Sequence, residues 1–583
     1  MAEISVRTGG AAGDGIASVG DVLGKSLSRM GLHVFGLNAY QSVIRGGHVW
    51  FQARASSDPI HSQGDQADVL FALNKETAQI HLPTMNAGST IVYDPEKFDL
   101  ADSEVPVGTK KLAVPTLEIA RKYSSQSILQ NAAGMGATAF LAGIPFPVLQ
   151  KALADSFGRK KGDIADWNIG AAGDGYQFAE KNSGANDHAV KPGGDPKLLM
   201  TGNQAIALGA AAAGCKFLVQ YPMTPASTIL HWLAAHSQQL GIVVKQAEDE
   251  IAVVHMAIGA SFAGVRSMCA TSGGGFALMV EGIGMAGMTE TPLVIVESQR
   301  SGPSTGLPTK TEQGDLNMML GAGQGDFPRA ILAPSDAGEA FRATVKAFQL
   351  AEDWQTPIIV ASDFHLSESV MTVERDELPF PGPLPSLYTV EPNGGDYKRY
   401  AYTESGVSPR AMPGQPGLQF KAGSDEHDER GRLISDVLSG VPIWVAERTK
   451  MMDKRMRKLD GLRTAGPAPS LEGPADAPLT FVAWGSTVGA IKDATHLLNA
   501  KGVATNLVRI PQVYPLATAS LVPMLSHARR TLLVEANFSG QLGHLIRAET
   551  GIAFPDRFLK YNGEPFTPME IAQKALEVLK NGH

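Results

Sequence analysis

Cysteine is nearly absent: the 583 residues contain two, Cys215 and Cys269. Two thiols exclude a disulfide framework and suit a reducing cytoplasm. They also exclude a self-sufficient four-cysteine iron–sulfur cluster within this chain. Both lie in apolar surroundings, which predicts buried, inert thiols. Long apolar runs are missing too. No stretch approaches the ~18 residues needed to cross a bilayer, and the alanine-rich AIALGAAAAG (205–214) reads as a buried helix. A strong charge of one sign is also lacking. The net charge of −8 gives no reason to expect nucleic acid or an anionic membrane as partner. The first residues, MAEISVRTGG, have no basic region followed by an apolar run, so no secretion signal is expected.

What is present is apolar mass. Hydrophobic residues make up 44% and charged residues 19%, as in soluble globular proteins with large cores. At roughly 150 residues per domain, the length predicts three or four domains. Strands alternate with helices throughout, which predicts α/β layers built on doubly wound parallel sheets. A first unit spans 1–180. The polar, Gly- and Pro-rich segment 179–197 reads as a linker. A second α/β unit spans 198–376. An irregular region, 377–477, is crowded with Pro and Gly and includes a very basic run, RTKMMDKRMRKLDGLR (448–463). A compact last unit, 478–583, opens on the strand LTFVAWGS.

The second unit holds the densest candidate chemistry, in residues 219–311. Apolar strand runs are followed by turns rich in Pro, Gly, Ser or Thr: VQYPMTPAS (219–227), KQAEDEIAVVHMAIGAS (245–261), TSGGGF (271–276) and VESQRSGPSTGLPTKT (296–311). Polar residues therefore collect at the carboxyl ends of successive strands, where open α/β sheets bind ligands. Glu250 falls at the first turn of a helix. It reads either as a capping acid favoured by the helix dipole, with Glu248 and Asp249 competing for that role, or as a functional carboxylate. Arg300 reads as a surface arginine after a strand, or as a fork for a substrate carboxylate. Thr224 reads as a helix cap beside a Pro turn.

These segments resemble, in order and spacing, the 2-oxoacid:ferredoxin oxidoreductases. YPMTPAS is similar to that family's YPITPS motif, VESQRSGPSTGLPT to its second motif, and TSGGGF to the TSGPG segment between them. The resemblance covers nearly the whole chain. It implies a gamma-type domain (1–180), a thiamine-diphosphate pyrimidine-binding domain (198–376) and a transketolase carboxyl-terminal-like domain (478–583). That is the gamma–alpha order of the large subunit of two-subunit enzymes. It also implies residue roles. Glu250 would hydrogen-bond the aminopyrimidine ring of the cofactor, an acid held in a largely dry site. Thr224 would place its hydroxyl near cofactor and reacting carbonyl, Arg300 would bind the 2-oxoacid carboxylate, and Thr309 would help hold the same substrate. Met223 and Ala226 depart tolerably from the family's usual Ile and Ser, and Gly274, in place of the usual Pro, loosens a turn but removes no functional group.

The Gly-rich turn GGAAGDG (9–15), with Asn38 beyond it, looks like a metal and diphosphate signature, but its spacing is short and it lacks a second Asn. Nor does it have G-x-G-x-x-G spacing, which disfavours a nicotinamide-linked dehydrogenase. It resembles the gamma-domain turn, whose amides could receive a phosphate of coenzyme A. Arg45, in AYQSVIRGGHVWFQARAS (39–56), could meet a distal substrate carboxylate or be a solvated turn residue. YKRYAYTESGVSPRAMPG (397–414) and DEHDERG (425–431) resemble segments of 2-oxoglutarate-type alpha subunits. Adjacent Glu426, His427, Asp428 and Glu429 diverge too much for one ion and read as a loop or interface element. The basic run reads as a solvated helix or a surface facing an acidic partner.

The resemblance implies coenzyme A-dependent oxidative decarboxylation of 2-oxoglutarate to succinyl-CoA and CO2, with reduction of ferredoxin. The reaction is reversible as reductive carboxylation, which is the link to the tricarboxylic acid cycle and carbon fixation. The alternatives are the same chemistry on pyruvate or branched 2-oxoacids, or a non-catalytic structural subunit. A beta subunit would bring the diphosphate and Mg2+ site and the [4Fe-4S] cluster, in an α2β2 assembly in the cytoplasm.

Overall fold

The apolar β-branched runs form strands that are buried on both faces, as parallel strands covered by helices must be. All seven residues of Leu293–Gln299 and all seven of Pro357–Asp363 are buried. In the computed structural model, the described residues are 3–41, 46–125, 127–158, 163–184, 188–382, 390, 396–435 and 440–581. They contain three large sheets.

The first sheet runs Lys110–Ala113, Met85–Tyr93, Ala67–Ala72, Glu3–Ala11, His48–Ser56, His33–Ala39, Val370–Val373, Leu198–Thr201. Its first four strands are parallel and the rest antiparallel. The expected parallel sheet thus holds for one half. The reason is the connection: residues 40–47 are fewer than the roughly dozen a parallel crossover needs, so His33–Ala39 and His48–Ser56 must pair antiparallel. Two strands from beyond the linker, Leu198–Thr201 and Val370–Val373, complete this sheet. The first two units therefore share hydrogen-bonded backbone.

The second sheet runs Gln512–Tyr514, Ala330–Leu332, Pro357–Asp363, Leu293–Gln299, Ser267–Thr271, Phe217–Gln220, Val243–Gln246. It is parallel except for Gln512–Tyr514, which the last unit contributes. The helices Glu250–Phe262 and Gly273–Met288 cover one face through Val253, Val254, Ala257, Phe276, Met279 and Ile283. The third sheet runs Ser470–Glu472, Thr505–Arg509, Leu479–Ala483, Thr531–Glu535, Asp556–Leu559 and is parallel but for its first strand. Asp493 of the last unit accepts from Ser62 Oγ (2.6 Å) and the His61 amide (3.2 Å), fastening it to the first. No helix among the described residues is long and apolar enough to cross a membrane.

The basic run is only in part the solvated helix expected: Arg448, Lys450 and Arg457 are exposed, but its other face turns inward. It folds into the helices Val441–Met456 and Lys458–Ala465, and Lys454, Arg455 and Lys458 are almost wholly buried. Lys454 and Lys458 each donate to one oxygen of Glu290 at 2.6 Å. Arg455 forks onto Glu426 at 2.7 and 2.9 Å. Charges this deep require such partners, and Glu290 lies too far back in sequence to be recognised as one. In the acidic cluster, His427 packs against Tyr400 at a tilt, ring centroids 3.9 Å apart, Asp428 accepts from the Arg430 and Arg432 amides, and Glu429 accepts from Lys398 and the Tyr402 amide. Each side chain goes its own way. Cys215 and Cys269 are buried, and burial pushes both thiols up to about 12.

Candidate active site

Four pieces of chain meet at the carboxyl edge of the second sheet. The strand Val243–Gln246 leads to the helix Glu250–Phe262, and the cap of that helix is Asp249, whose Oδ1 accepts from the Ala252 amide at 2.7 Å. The capping role is therefore filled, which leaves the Glu250 carboxyl for other work. Glu250 is 3% exposed. The Thr271 hydroxyl donates to its Oε1 at 3.4 Å, and burial raises its pKa. A Cβ on Gly275 would stand 2.3 Å from Glu250 Oε1 and 2.1 Å from Thr271 Oγ1, so only glycine lets this turn approach the carboxyl. At Gly274 a Cβ would meet nothing within 4 Å.

The Thr224 loop is pinned from behind. Gln220 Nε2 donates to the Ala226 carbonyl (2.9 Å), and Asn203 Nδ2 to the Pro225 carbonyl (2.8 Å). The Thr224–Pro225 peptide is cis. Arg300 donates to the Thr224 carbonyl at 2.8 Å, and Met223 Sδ lies 3.9 Å from Thr271 Oγ1. Thr224, Glu250 and Arg300 thus belong to one neighbourhood. The segment after Arg300 folds back on itself: the Ser301 amide donates to the Lys310 carbonyl, and the Leu307 amide to the Ser301 carbonyl, each at 3.0 Å. This returns the backbone at Thr309 towards Arg300. Thr309 lines a narrow cleft with Asn38, Ala39, Phe364 and Gly563. Arg45 lies outside the described residues. Asp14 is spent on its own turn, its Oδ2 accepting from the Ala11 amide at 2.8 Å.

The sequence reading missed the acids behind Arg300. Glu297 is 0% exposed, and among the described residues no N–H or hydroxyl donates to either of its oxygens; the group that meets it is the Asp315 carboxyl. Burial, then neighbouring Asp315, raise it well above the usual carboxylate range. Burial lifts Asp315 to about 6. Burial lowers Arg300, while Asp315 and Glu297 pull the other way. The Asp315 amide donates to Gln299 Oε1 at 3.1 Å, and Asp315 Oδ2 lies 2.6 Å from where a Cβ on Gly273 would be. One signal was available: a glutamate inside LVIVESQ, an otherwise apolar strand, is an acid that burial must perturb.

Residues 208–441 match the family described as pyruvate flavodoxin/ferredoxin oxidoreductase, thiamine diP-bdg, and residues 5–178 match pyruvate ferredoxin/flavodoxin oxidoreductase. Over 98% of its length the chain is 31% identical to a 2-oxoacid:ferredoxin oxidoreductase subunit alpha from Sulfolobus sp, of which it covers 96%. The chain belongs to the 2-oxoacid:ferredoxin oxidoreductase alpha subunits. It is thus part of a multi-subunit oxidoreductase. It is also 28% identical, over 94% of its length, to the 2-oxoglutarate oxidoreductase subunit KorA of Mycobacterium tuberculosis, of which it covers 87%. A solved 2-oxoglutarate:ferredoxin oxidoreductase from Magnetococcus marinus, with 2-oxoglutarate, coenzyme A and succinyl-CoA bound, superposes with a TM-score of 0.91 at 34% identity, covering 99% of this chain and 100% of that one.

The thiamine-diphosphate-binding match of this alpha subunit contains Thr224, Glu250, Arg300 and Thr309. Among them, Glu250 has the chemistry to meet a ring nitrogen of such a cofactor. Glu250 is buried, pushed towards its protonated form, and faces a turn stripped to backbone at Gly275. Such a carboxyl can share a proton with a ring nitrogen.

Proposed function

We propose that this chain is the large subunit of an enzyme that oxidatively decarboxylates 2-oxoglutarate to succinyl-CoA and CO2, reducing ferredoxin, and that can run the reaction in reverse. The observation that carries this reading is the meeting of Arg300, the Thr224 loop and a buried Glu250 of raised pKa at one sheet edge. Thiamine diphosphate, when bound, supplies the nucleophilic carbon and electron sink that decarboxylation needs. Glu250 holds and exchanges a proton at its carboxyl. Arg300 orients the substrate carboxylate through two parallel donors, Thr224 offers a hydroxyl to the reacting carbonyl, and Thr309 supports the same substrate. Arg45 is the candidate second cation for the distal carboxylate of 2-oxoglutarate, and the Gly-rich turn 9–15 is the candidate contact for coenzyme A. In this reading the chain divides at the boundaries 1–180, 198–376, 377–477 and 478–583.

A beta subunit completes the site with the Mg2+ and diphosphate pocket and the [4Fe-4S] cluster, in an α2β2 assembly. Support comes from the helix that begins at Glu250 and the one packed beside it, whose outer faces are largely apolar apart from His255 and Glu281. Val253 and Phe276 face the core while Ile251 (50%), Met256 (38%) and Leu278 (50%) stay exposed, as a partner-facing side requires. The test is Glu250→Gln in the complex with its partner subunit. Turnover should fall by about 10²-fold or more while assembly persists; unchanged turnover would assign this chain a structural role. A panel of 2-oxoacids then tests the substrate. Preference for pyruvate or branched 2-oxoacids would overturn 2-oxoglutarate while leaving the reaction class intact.

A further inference from the structure

Arg300 stands between two things: the Thr224 carbonyl, to which it donates, and a pair of acids that it does not ion-pair with among the described residues. Those acids come from different elements. Glu297 points from the strand Leu293–Gln299 and Asp315 precedes the short helix Leu316–Leu320. The backbone of Gly273 closes over Asp315, and the Gln299 side chain holds the Asp315 amide. Among the described residues, three other charged groups act on the pair. Asp363, at the end of the adjacent strand Pro357–Asp363, is occupied by the Leu366 amide and the Thr311 hydroxyl. Glu312 adds negative potential at Asp315, and Arg300 is the cation in both surroundings.

Charge counting then decides what the pair can do. With both acids ionised, they and Arg300 sum to one negative charge, and an incoming carboxylate is repelled. With one proton between them the sum is zero. We propose that Glu297 and Asp315 are positioning residues for Arg300: a buried carboxyl pair that shares one proton at neutral pH and so keeps the guanidinium available to the 2-oxoacid carboxylate. This rests on the reading of Arg300 as the substrate-binding cation. Two carboxyls in contact titrate as a unit, the first ionisation making the second harder. One proton leaves near the value burial gives Asp315, about 6; the second is held more tightly, in keeping with the upward push of burial and of Asp315 on Glu297.

The sign follows. As pH rises above neutral, the shared proton is lost, the pair gains a negative charge, and substrate affinity falls. In the complex with its partner subunit, KM for the 2-oxoacid should rise about tenfold through that ionisation, the weight of one unit charge in a partly dry site, with no matching step in kcat. Glu297→Gln cannot ionise and should abolish the alkaline rise in KM. Infrared titration supplies a second readout on the unmutated complex. A pH-dependent carboxylic C=O band should persist at neutral pH, fall to half at the midpoint of the KM rise, and be missing from the Glu297→Gln difference spectrum. Arg300→Lys in the same assay separates the two layers. If it leaves KM unchanged, the reading of Arg300 fails. If it raises KM while Glu297→Gln keeps the alkaline rise, or the band is missing from the unmutated complex at neutral pH, the shared proton fails alone.

Discussion

Glu290 stands just before the strand Leu293–Gln299 and Glu297 within it. Both are 0% exposed, and they are opposite kinds of acid. Glu290 has Lys454 on one oxygen and Lys458 on the other, with the Arg399 guanidinium on its carbonyl at 2.8 Å. Burial alone would raise it, but Lys454, Lys458 and Arg399 outweigh burial and hold it far below the usual carboxylate range. Glu297 has no such cations, and burial drives it the other way. One strand separates a charge that pins the irregular region to the second sheet from a proton stored beside the candidate substrate arginine. The difference teaches that burial does not decide an acid's role; the cations it is given do.

The comparison breaks most sharply on stability. Glu290→Ala leaves two buried lysines, Lys454 and Lys458, without their acid, which should cost about 3–5 kcal/mol in chemical denaturation and loosen the helices Val441–Met456 and Lys458–Ala465. Glu297→Gln replaces a carboxyl that burial pushes towards its uncharged form and should stay within about 1 kcal/mol. Equal losses at the two positions would show that both acids are ionised staples. The glycines beside Glu250 offer a parallel contrast. Gly275→Ala drives a Cβ into Thr271 and Glu250 and should cost about 1–3 kcal/mol together with turnover. Gly274→Ala has open space in front and should be neutral or stabilising by about 0.4–1 kcal/mol.

A pH series sharpens the same comparison by sign. Asp315 moves from 3.8 to about 6 on folding. Its contribution is fully present below 3.8 and lost as pH rises through 6, an effect of about 2 kcal/mol after allowance for coupling. Glu290 is lowered instead, so its contribution is present above its unfolded value of 4.5 and lost as pH falls towards the folded one. Between pH 4 and 7, wild type should therefore lose stability relative to Asp315→Asn. Going down from pH 5, it should lose its advantage over Glu290→Gln. Denaturation midpoints at four or five pH values suffice, and slopes of the same sign would contradict the assignment.

Much of the site was legible because it is local. Thr224, Glu250 and Arg300 each follow an apolar strand in a turn with its own motif, and parallel pairing of the strands brings successive turns to one edge. What was not legible depends on partners far apart in sequence. Lys454 and Lys458 looked like a solvated run because Glu290 gives no local hint of being their acid. Glu297 and Asp315 went unread because each is unremarkable until folding sets them face to face behind Arg300. The antiparallel half of the first sheet follows from a connection length that was on view. Its completion by Leu198–Thr201 and Val370–Val373 follows from packing across the linker, which no local pattern encodes.

The smallest effect isolates Glu250 from its neighbour. Asp249 and Glu250 are adjacent acids, and the geometry divides their work: Asp249 satisfies the Ala252 amide and Glu250 lies buried against Thr271. Asp249→Ala removes the cap and should cost about 1 kcal/mol. Glu250 is the first residue of the helix, so the fraying that follows loosens its carboxyl and should lower kcat more than KM. Asp249→Ser restores an oxygen able to accept from the same amide and should recover both stability and kcat. Glu250→Gln should lose turnover with stability nearly intact, since its partner is a neutral hydroxyl. If instead the Asp249 variants abolished turnover and Glu250→Gln did not, the roles of the two acids would have to be exchanged.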